Sequence, residues 1–300
     1  MINKTEFDRD LVGPDSYEYF NDLSKFCQNK YLGFHKWQLL LLLVIAIVST
    51  APILPESIET GKLFIELALI ISVLILMIIQ FRTKYMDGWQ KSRFLAESIL
   101  STVWLVVFKI DKYDCEWSDA LKSFHEKIKE IKNEINLDEY LKYVQHKSSD
   151  NDSPDWMKEA FDLDYKERVE FYIKYRLNHQ EGYYFKKTKY NTKKGELFFW
   201  LALVSMGLGA VLTILILTKT LPNYSYLGLF TTLSATMFSW KQTKRFDELS
   251  STYSVAIEEL KDFKKKLLIE STNTGYQTIV YDCERSISRE HKLWVSRIQE

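Results

Sequence analysis

LFFWLALVSMGLGAVLTILILT, residues 197–218, is followed by KTLPN, residues 219–223, and YSYLGLFTTLSATMFSW, residues 224–240. Neither of the two longer runs carries a charge. Each is close to the roughly 17–25 residues that cross a bilayer as a helix. A turn as short as Lys219–Asn223, with Pro222 in it, makes two such helices antiparallel neighbours. The chain then leaves the apolar run at Lys241, Lys244 and Arg245. Beyond them, apolar residues recur at Phe246, Leu249, Tyr253, Ala256, Leu260, Phe263 and Leu267. Steps of three and four put these on one helix face. With no Pro or Gly to stop it, Tyr224 to about Glu270 reads as one long helix.

The same pattern occurs earlier. Trp37–Leu54 is uncharged, a loop with Pro52 and Pro55 follows, and Leu63–Phe81 returns to cations at Arg82 and Lys84. A second seam comes next: Met86, Trp89, Arg93, Ala96, Leu100, Val103 and Val107. Each lies 160 positions before its counterpart. The register extends into the apolar runs, where Ile65, Ala68, Ser72, Ile75 and Ile79 align with Ser225, Gly228, Thr232, Ala235 and Ser239. Matching hairpins with matching exits point to an internal duplication.

Composition agrees once it is read locally. Over 300 residues the chain is 46% hydrophobic and 27% charged, with formal net charge +0 and a mean hydropathy of −0.20. That average hides four apolar runs inside a very polar chain. Cys27, Cys115 and Cys283 lie far apart and form no CxxC, which fits a reduced compartment. The first run starts too late for a signal peptide. Lys30, Lys36, Arg82, Lys84, Lys91, Arg93, Lys186, Lys187, Lys189, Lys193, Lys194, Lys241, Lys244 and Arg245 fall on one side of the spans. Lys62 and Lys219, with Glu56 and Glu59, fall on the other. The positive-inside bias therefore predicts both termini and the long middle segment in the cytosol. Trp37, Trp200 and Trp240 sit near run ends, as interfacial aromatics do.

The remaining chain reads as helix. Ser16 is a candidate cap for an interfacial helix containing Tyr17, Phe20, Leu23, Cys27 and Tyr31. Ser118 starts another, with Leu121, Phe124, Ile128, Ile131 and Ile135 as a seam in search of a helical partner. SSDNDSP, residues 148–154, is a linker dividing the chain into residues 1–150 and 151–300. Trp156–Asn191 and Tyr276–Ile298 are also helical in pattern. The expected fold is all-α: an integral membrane protein with two transmembrane helical hairpins, four spans and a helical cytosolic body.

Several residues are candidates for function. Ser225, Gly228, Thr232, Ala235 and Ser239 share one face of the fourth run. Such a face either packs closely on another helix or lines a narrow aqueous path. Ser205, Gly207, Gly209 and Ala210 on the third run favour close packing. Glu66 is the single charge within the runs, either reaching the interface or ringing a pore mouth. Lys186, Lys187, Lys189, Lys193 and Lys194, interleaved with Tyr183, Tyr184, Phe185 and Tyr190, suit anionic headgroups or an oligonucleotide. Arg93 is positioned to pair with Glu97 one turn on. The sequence offers no phosphate-cradling Gly loop, nucleophile elbow or metal cluster, so neither an enzyme nor a cofactor is expected.

In order around the two hairpins stand Trp89, Arg93, Ala96-Glu97 and Trp104; then Tyr172, Arg176, Gln180, Tyr184 and Asn191; then Glu284, Glu290-His291 and Trp294. With these positions the chain resembles the SLATT family, the SMODS- and SLOG-associating two-transmembrane effector domains, in two tandem copies. The second half departs from the first, since no Trp or Arg-x-x-Ala-Glu follows Trp240. The resemblance implies a multi-pass effector of the bacterial inner membrane in antiphage or conflict systems. It implies a companion nucleotidyltransferase or sensor and a pore that depolarises the cell. Because four mostly apolar spans cannot enclose a wet pore alone, a homo-oligomer in the lipid bilayer is expected. Two further readings stay open: a non-conducting scaffold or sensor that recruits partners, and a channel held closed by a bound nucleotide or oligonucleotide.

Overall fold

A computed structural model of the chain describes residues 11, 13–50, 56–135, 137–141, 152–220 and 226–296. Every element among them is a helix. In order they are α1 (Asp15–Ser49), α2 (Glu56–Thr83), α3 (Tyr85–Val107), a 3-10 turn (Asp111–Tyr113), α4 (Trp117–Glu134), α5 (Asp138–Leu141), α6 (Asp155–Asp162) and α7 (Tyr165–Tyr172). A π-helical segment (Ile173–Leu177) then leads into α8 (Asn178–Leu217), α9 (Leu227–Lys244), α10 (Phe246–Ile269) and α11 (Asn273–Ser296).

Helix ends explain several boundaries. Asp164 caps α7 by accepting from the Lys166 and Glu167 backbone N–H groups. Two helices end alike. At the end of α3, Ile110 N–H donates to the Leu105 carbonyl and Lys109 N–H to Val106. At the end of α8, Thr220 donates to Leu215 and Lys219 to Ile216. Each terminal lysine is left-handed, with φ of 54° at Lys109 and 56° at Lys219. This paired closure satisfies the last carbonyls and leaves a cation at the negative end of the helix.

Some expectations change. The interfacial helix does not stand apart from the first apolar run, because α1 is continuous over 35 residues. Ser16 lies inside it, and its backbone N–H donates to Asp152 Oδ1. Helix α4 begins one residue ahead of Ser118, with Glu116 in the cap position and no side-chain cap. The single helix expected from Tyr224 to Glu270 breaks at Arg245, at φ 51°, and α2 likewise gives way to α3 at Lys84, at φ 45°. Those breaks are 161 positions apart, one residue off the repeat. A left-handed non-glycine costs about 1–2 kcal/mol. Each break places an aromatic at the head of the next helix, where it is buried: Tyr85 and Phe246. Phe34 stacks on Tyr85 at 6.1 Å and Phe198 on Phe246 at 5.9 Å. Burying one large side chain contributes about 1.5–3 kcal/mol, enough to offset the turn.

The contacts divide the chain into two units. One comprises Met1–Gln28, Met86–Phe185 and Tyr253–Glu300. Its centre is α3. The expected one-sided seam there is buried all round instead: Leu95, Ile99 and Val106 are as hidden as Ala96, Val103 and Val107. A helix apolar on every face belongs in an interior. Phe124, Ile128 and Ile131 of α4 find their partners within this unit, with Trp117 of α4 edge-on to Phe161 of α6. Gly88 marks a close approach, since a Cβ there would lie 2.7 Å from the Tyr140 ring and 3.1 Å from Cys27 Sγ. On α10 the predicted seam holds, with Leu260 and Leu267 buried and Leu268 and Ile269 exposed.

The other unit comprises Asn29–Tyr85 and Lys186–Thr252. It contains most of the apolar runs. Three helical stretches, Asp15–Ser49, Glu59–Val107 and Tyr165–Leu217, are long and apolar enough to cross a membrane. Their apolar windows are only 0%, 6% and 17% buried, an uncovered area far beyond what a water-soluble monomer exposes. The chain is therefore a membrane protein. The fourth expected span is not among the three. Within α9 the apolar part Leu227–Trp240 measures about 21 Å, against about 30 Å of hydrocarbon, and its hydroxyls dilute its hydropathy. Ser225 and the turn at Pro222, like the Pro52–Pro55 loop and residues 148–151 of the linker, lie outside the described residues.

Burial and geometry predict thiol reactivity. Cys27 and Cys283 are buried and Cys115 is exposed. Burial pushes the Cys27 thiol up to about 11 and Cys283 to about 12, the latter helped by Glu284. Maleimide at neutral pH should modify Cys115 and spare the other two until the protein is denatured. Adduct mass after brief labelling checks this.

Candidate functional site

In the first of the two units the chain buries charge. Glu284 projects from α11 at 1% exposure, one residue after the buried Cys283. Its Oε1 accepts from the Tyr172 hydroxyl at 2.8 Å and from Arg176 Nε at 2.9 Å. Its Oε2 accepts from Arg176 Nη2 at 2.8 Å. Tyr172 ends α7, and Arg176 sits in the π-helical segment that follows. The wider turn changes the register by which the two side chains reach one carboxylate. Such bulges recur at functional sites. Burial disfavours the Arg176 charge, but Glu284 and its hydrogen bonds outweigh that and hold the guanidinium protonated. Burial also raises the Tyr172 phenol well above its ordinary value, so it stays a donor.

A second pair lies in the same unit. Arg93 Nη2 meets Glu97 Oε1 at 2.5 Å, one turn along α3, and Glu97 is buried. The field of Glu97 also reaches Arg176. Arg93, Glu97, Arg176 and Glu284 thus form a balanced set of two cations and two carboxylates. Around it stand Trp104, Phe108, Trp156 and Phe171, with Tyr172 edge-on to Trp104 at 5.2 Å and to Phe108 at 5.3 Å. Gln180 is buried one turn after Arg176. Trp89 is half-buried, and its carbonyl accepts from Ser24 Oγ. His291 and Trp294 are carried on α11, and their side chains lie outside the described residues. With three donors on it, the Glu284 carboxylate is occupied in joining α7 and the π segment to α11.

In the second unit the candidate face of α9 is only loosely covered. Gly228 and Ala235 are exposed, and Thr232 and Ser239 are half-buried. A Cβ added to Gly228 would meet nothing within 4 Å. The contact between α8 and α9 is made elsewhere on α9. Ser205 Oγ donates to the Phe230 carbonyl at 3.0 Å, and a Cβ on Gly209 would come within 2.9 Å of Phe230 Cβ. Ser205 and Gly209 are the packing positions expected on the third run, whereas Gly207 and Ala210 are exposed. The Glu66 carboxylate accepts from Ser49 Oγ at 2.9 Å, tying α2 to the end of α1. Gln38 Nε2 donates to Gln80 Oε1 at 2.7 Å, a polar bridge between two runs that otherwise read as apolar. Lys186, Lys187, Lys189, Tyr190 and Lys193 are exposed on α8, with Lys194 half-buried and 6.0 Å over the Tyr190 ring.

The ion-pair set makes a stability prediction. Glu284→Leu leaves Arg176 buried without its carboxylate and should cost about 3–5 kcal/mol. Arg176→Met should cost a similar amount. The double variant should recover much of the loss, as measured by unfolding midpoints of the detergent-solubilised chain.

Residues 14–167 match the family described as SMODS and SLOG-associating 2TM effector domain 3, and residues 172–294 match SMODS and SLOG-associating 2TM effector domain 1. Neither the curated proteins nor the solved structures contain a match to the chain.

Proposed function

Since the chain belongs to the SMODS and SLOG-associating 2TM effector (SLATT) family as two domains in tandem, we propose that it is a membrane effector whose copies assemble into a gated pore. The family description associates such domains with SMODS and SLOG conflict systems. In this reading the first domain runs on past the linker near residues 148–154, and the two domains meet between residues 167 and 172. Four spans cross the bacterial inner membrane, both termini and the helical unit are cytosolic, and no substrate is turned over. A signal of nucleotide type, made or sensed by a companion protein, acts on the cytosolic helices.

The observation that carries the pore reading is the α9 face. Gly228 and Ala235 are exposed and Thr232 and Ser239 half-buried, while the hairpin packs through Phe230, Ser205 and Gly209. Of the apolar runs this one is the shortest and richest in hydroxyls, so it is the one that gains least from lipid. In an oligomer of copies the face has two uses, lining a conducting path or packing on its counterpart. Glu66, bonded to Ser49, stands near the outer end of α2, where a ring of carboxylates would favour cations.

Thr232→Leu separates these uses. A pore-lining Thr232 predicts lost ion flux in liposomes with an unchanged oligomer. A packing Thr232 predicts a smaller oligomer, because a branched side chain prevents close approach. Flux and size are measured on one preparation. A variant that conducts and assembles normally would count against the pore reading at this face. Topology has its own check: a cysteine introduced at position 220 should be labelled from outside intact cells, and one at position 150 should not.

A further inference from the structure

Helix α8 runs unbroken from Asn178 to Leu217, and its polar half carries a basic stripe. Residues 182–195 hold five lysines and no Asp or Glu. Lys186, Lys189, Tyr190 and Lys193 fall within about 100° of one helix face. All four are exposed, Tyr190 at 52%. Buried Asn191 and Gly195 lie on the opposite face, where a Cβ on Gly195 would come within 2.6 Å of Asp247 Oδ1. Among the described residues no carboxylate pairs with Lys186, Lys189 or Lys193. Tyr190 is held in place, its ring edge-on to Phe246 at 6.4 Å with the Lys194 ammonium 6.0 Å from its centre.

We propose that Lys186, Lys189 and Lys193 hold the phosphates, and Tyr190 stacks a base, of a short single-stranded oligonucleotide. The inference deepens the reading of a nucleotide-type signal, and rests on it and on the membrane placement of Leu197–Leu217. The height of the stripe separates this ligand from lipid. The apolar part Leu197–Leu217 measures about 31 Å, which matches about 30 Å of hydrocarbon and sets the boundary at Leu197. Headgroups add about 5–7 Å on each side. Along the helix axis Lys193 stands about 6 Å beyond Leu197, Lys189 about 12 Å and Lys186 about 16 Å. A tilt of about 40°, the upper end for membrane helices, still leaves Lys186 about 13 Å out. Lys193 alone reaches headgroup depth, and the rest of the stripe faces water. Three cations spaced about 4.5 and 6 Å along the axis suit a run of phosphates better than a single one. An acidic peptide would use the cations and leave the Tyr190 ring idle, whereas a base stacks on it.

The test uses the full chain in detergent and a fluorescein-labelled hexaadenylate, with binding read by anisotropy. Log affinity should fall with log salt at a slope of about −2, as for about three phosphates neutralised on a single strand. Lys186→Gln and Lys189→Gln should each weaken binding about fivefold and make the slope shallower by about 0.7. Tyr190→Leu should weaken binding about tenfold with the slope unchanged, and Tyr190→Phe should keep it. Lys265→Gln, which removes a cation paired with Asp262 on α10, should change nothing. No binding by the wild-type chain, or wild-type binding by Lys189→Gln and Tyr190→Leu, overturns the proposal. Equal displacement of the probe by inorganic tripolyphosphate or by hexaglutamate also overturns it, assigning the stripe to a base-free phosphate or to an acidic protein. So does weaker retention of dioleoyl phosphatidylglycerol by Lys186→Gln in native mass spectrometry, which would put Lys186 among headgroups. Ion flux in liposomes is scored separately. A probe that binds without changing flux upholds this site and overturns nucleotide control of the pore. Absent binding in a chain that conducts overturns this site and leaves the pore standing.

Discussion

A carboxylate taken out of water must meet its counter-charge and fill its lone pairs, or it will not ionise. Glu284 at 1% exposure does both through Arg176 and Tyr172. That constraint organises the helical unit. It sets the register of α11 against the segment following α7, and it accounts for a π-helical turn at Ile173–Leu177, where a regular helix would aim Arg176 elsewhere. It also requires electroneutrality nearby, which the Arg93–Glu97 pair preserves. Replacing such a set by apolar residues is often neutral for stability. Its role here is orientation, holding α7 and α11 in one arrangement while α3 supplies the apolar interior.

The hairpin unit solves a different problem. Its helices expose apolar faces that water cannot cover, so lipid or other copies must do so. Inside each hairpin the contacts are sparse and polar: Gln38 to Gln80 in the first, Ser205 to the Phe230 carbonyl in the second. In lipid, where apolar burial no longer drives association, such bonds and close backbone approach at small residues like Gly209 take over. Each hairpin ends on a left-handed cation, Lys84 or Arg245, followed by an aromatic that stacks on a Phe of the hairpin's first helix, Phe34 of α1 or Phe198 of α8. The duplicated halves thus share a joint as well as a hairpin, although their sequences match only in pattern.

Much of this was legible from periodicity and charge. The apolar runs, the helical class, the α10 seam and the Arg93–Glu97 pair follow from residue spacing, because a helix fixes which residues share a face and lipid fixes how long an apolar run must be; the resemblance to the two-transmembrane effector family rests instead on the identities of residues such as Trp89, Arg176 and Glu284 around the two hairpins. Arg176 and Glu284 were visible as motif positions, with nothing in the spacing to join them, since 108 residues separate them. The breaks at Lys84 and Arg245 carried no Gly or Pro signal. Only the packing of Phe34 and Phe198 on the next aromatic makes a left-handed Lys or Arg worthwhile. One-face patterning could not show that α3 is buried all round, because a helix wrapped on every side and one wrapped on a single side can carry the same seam. Local chemistry along one chain determined the elements. Which charges meet, which small face is only loosely covered and where the helices bend were decided by contacts between residues far apart in sequence, and these exist only once the chain has folded.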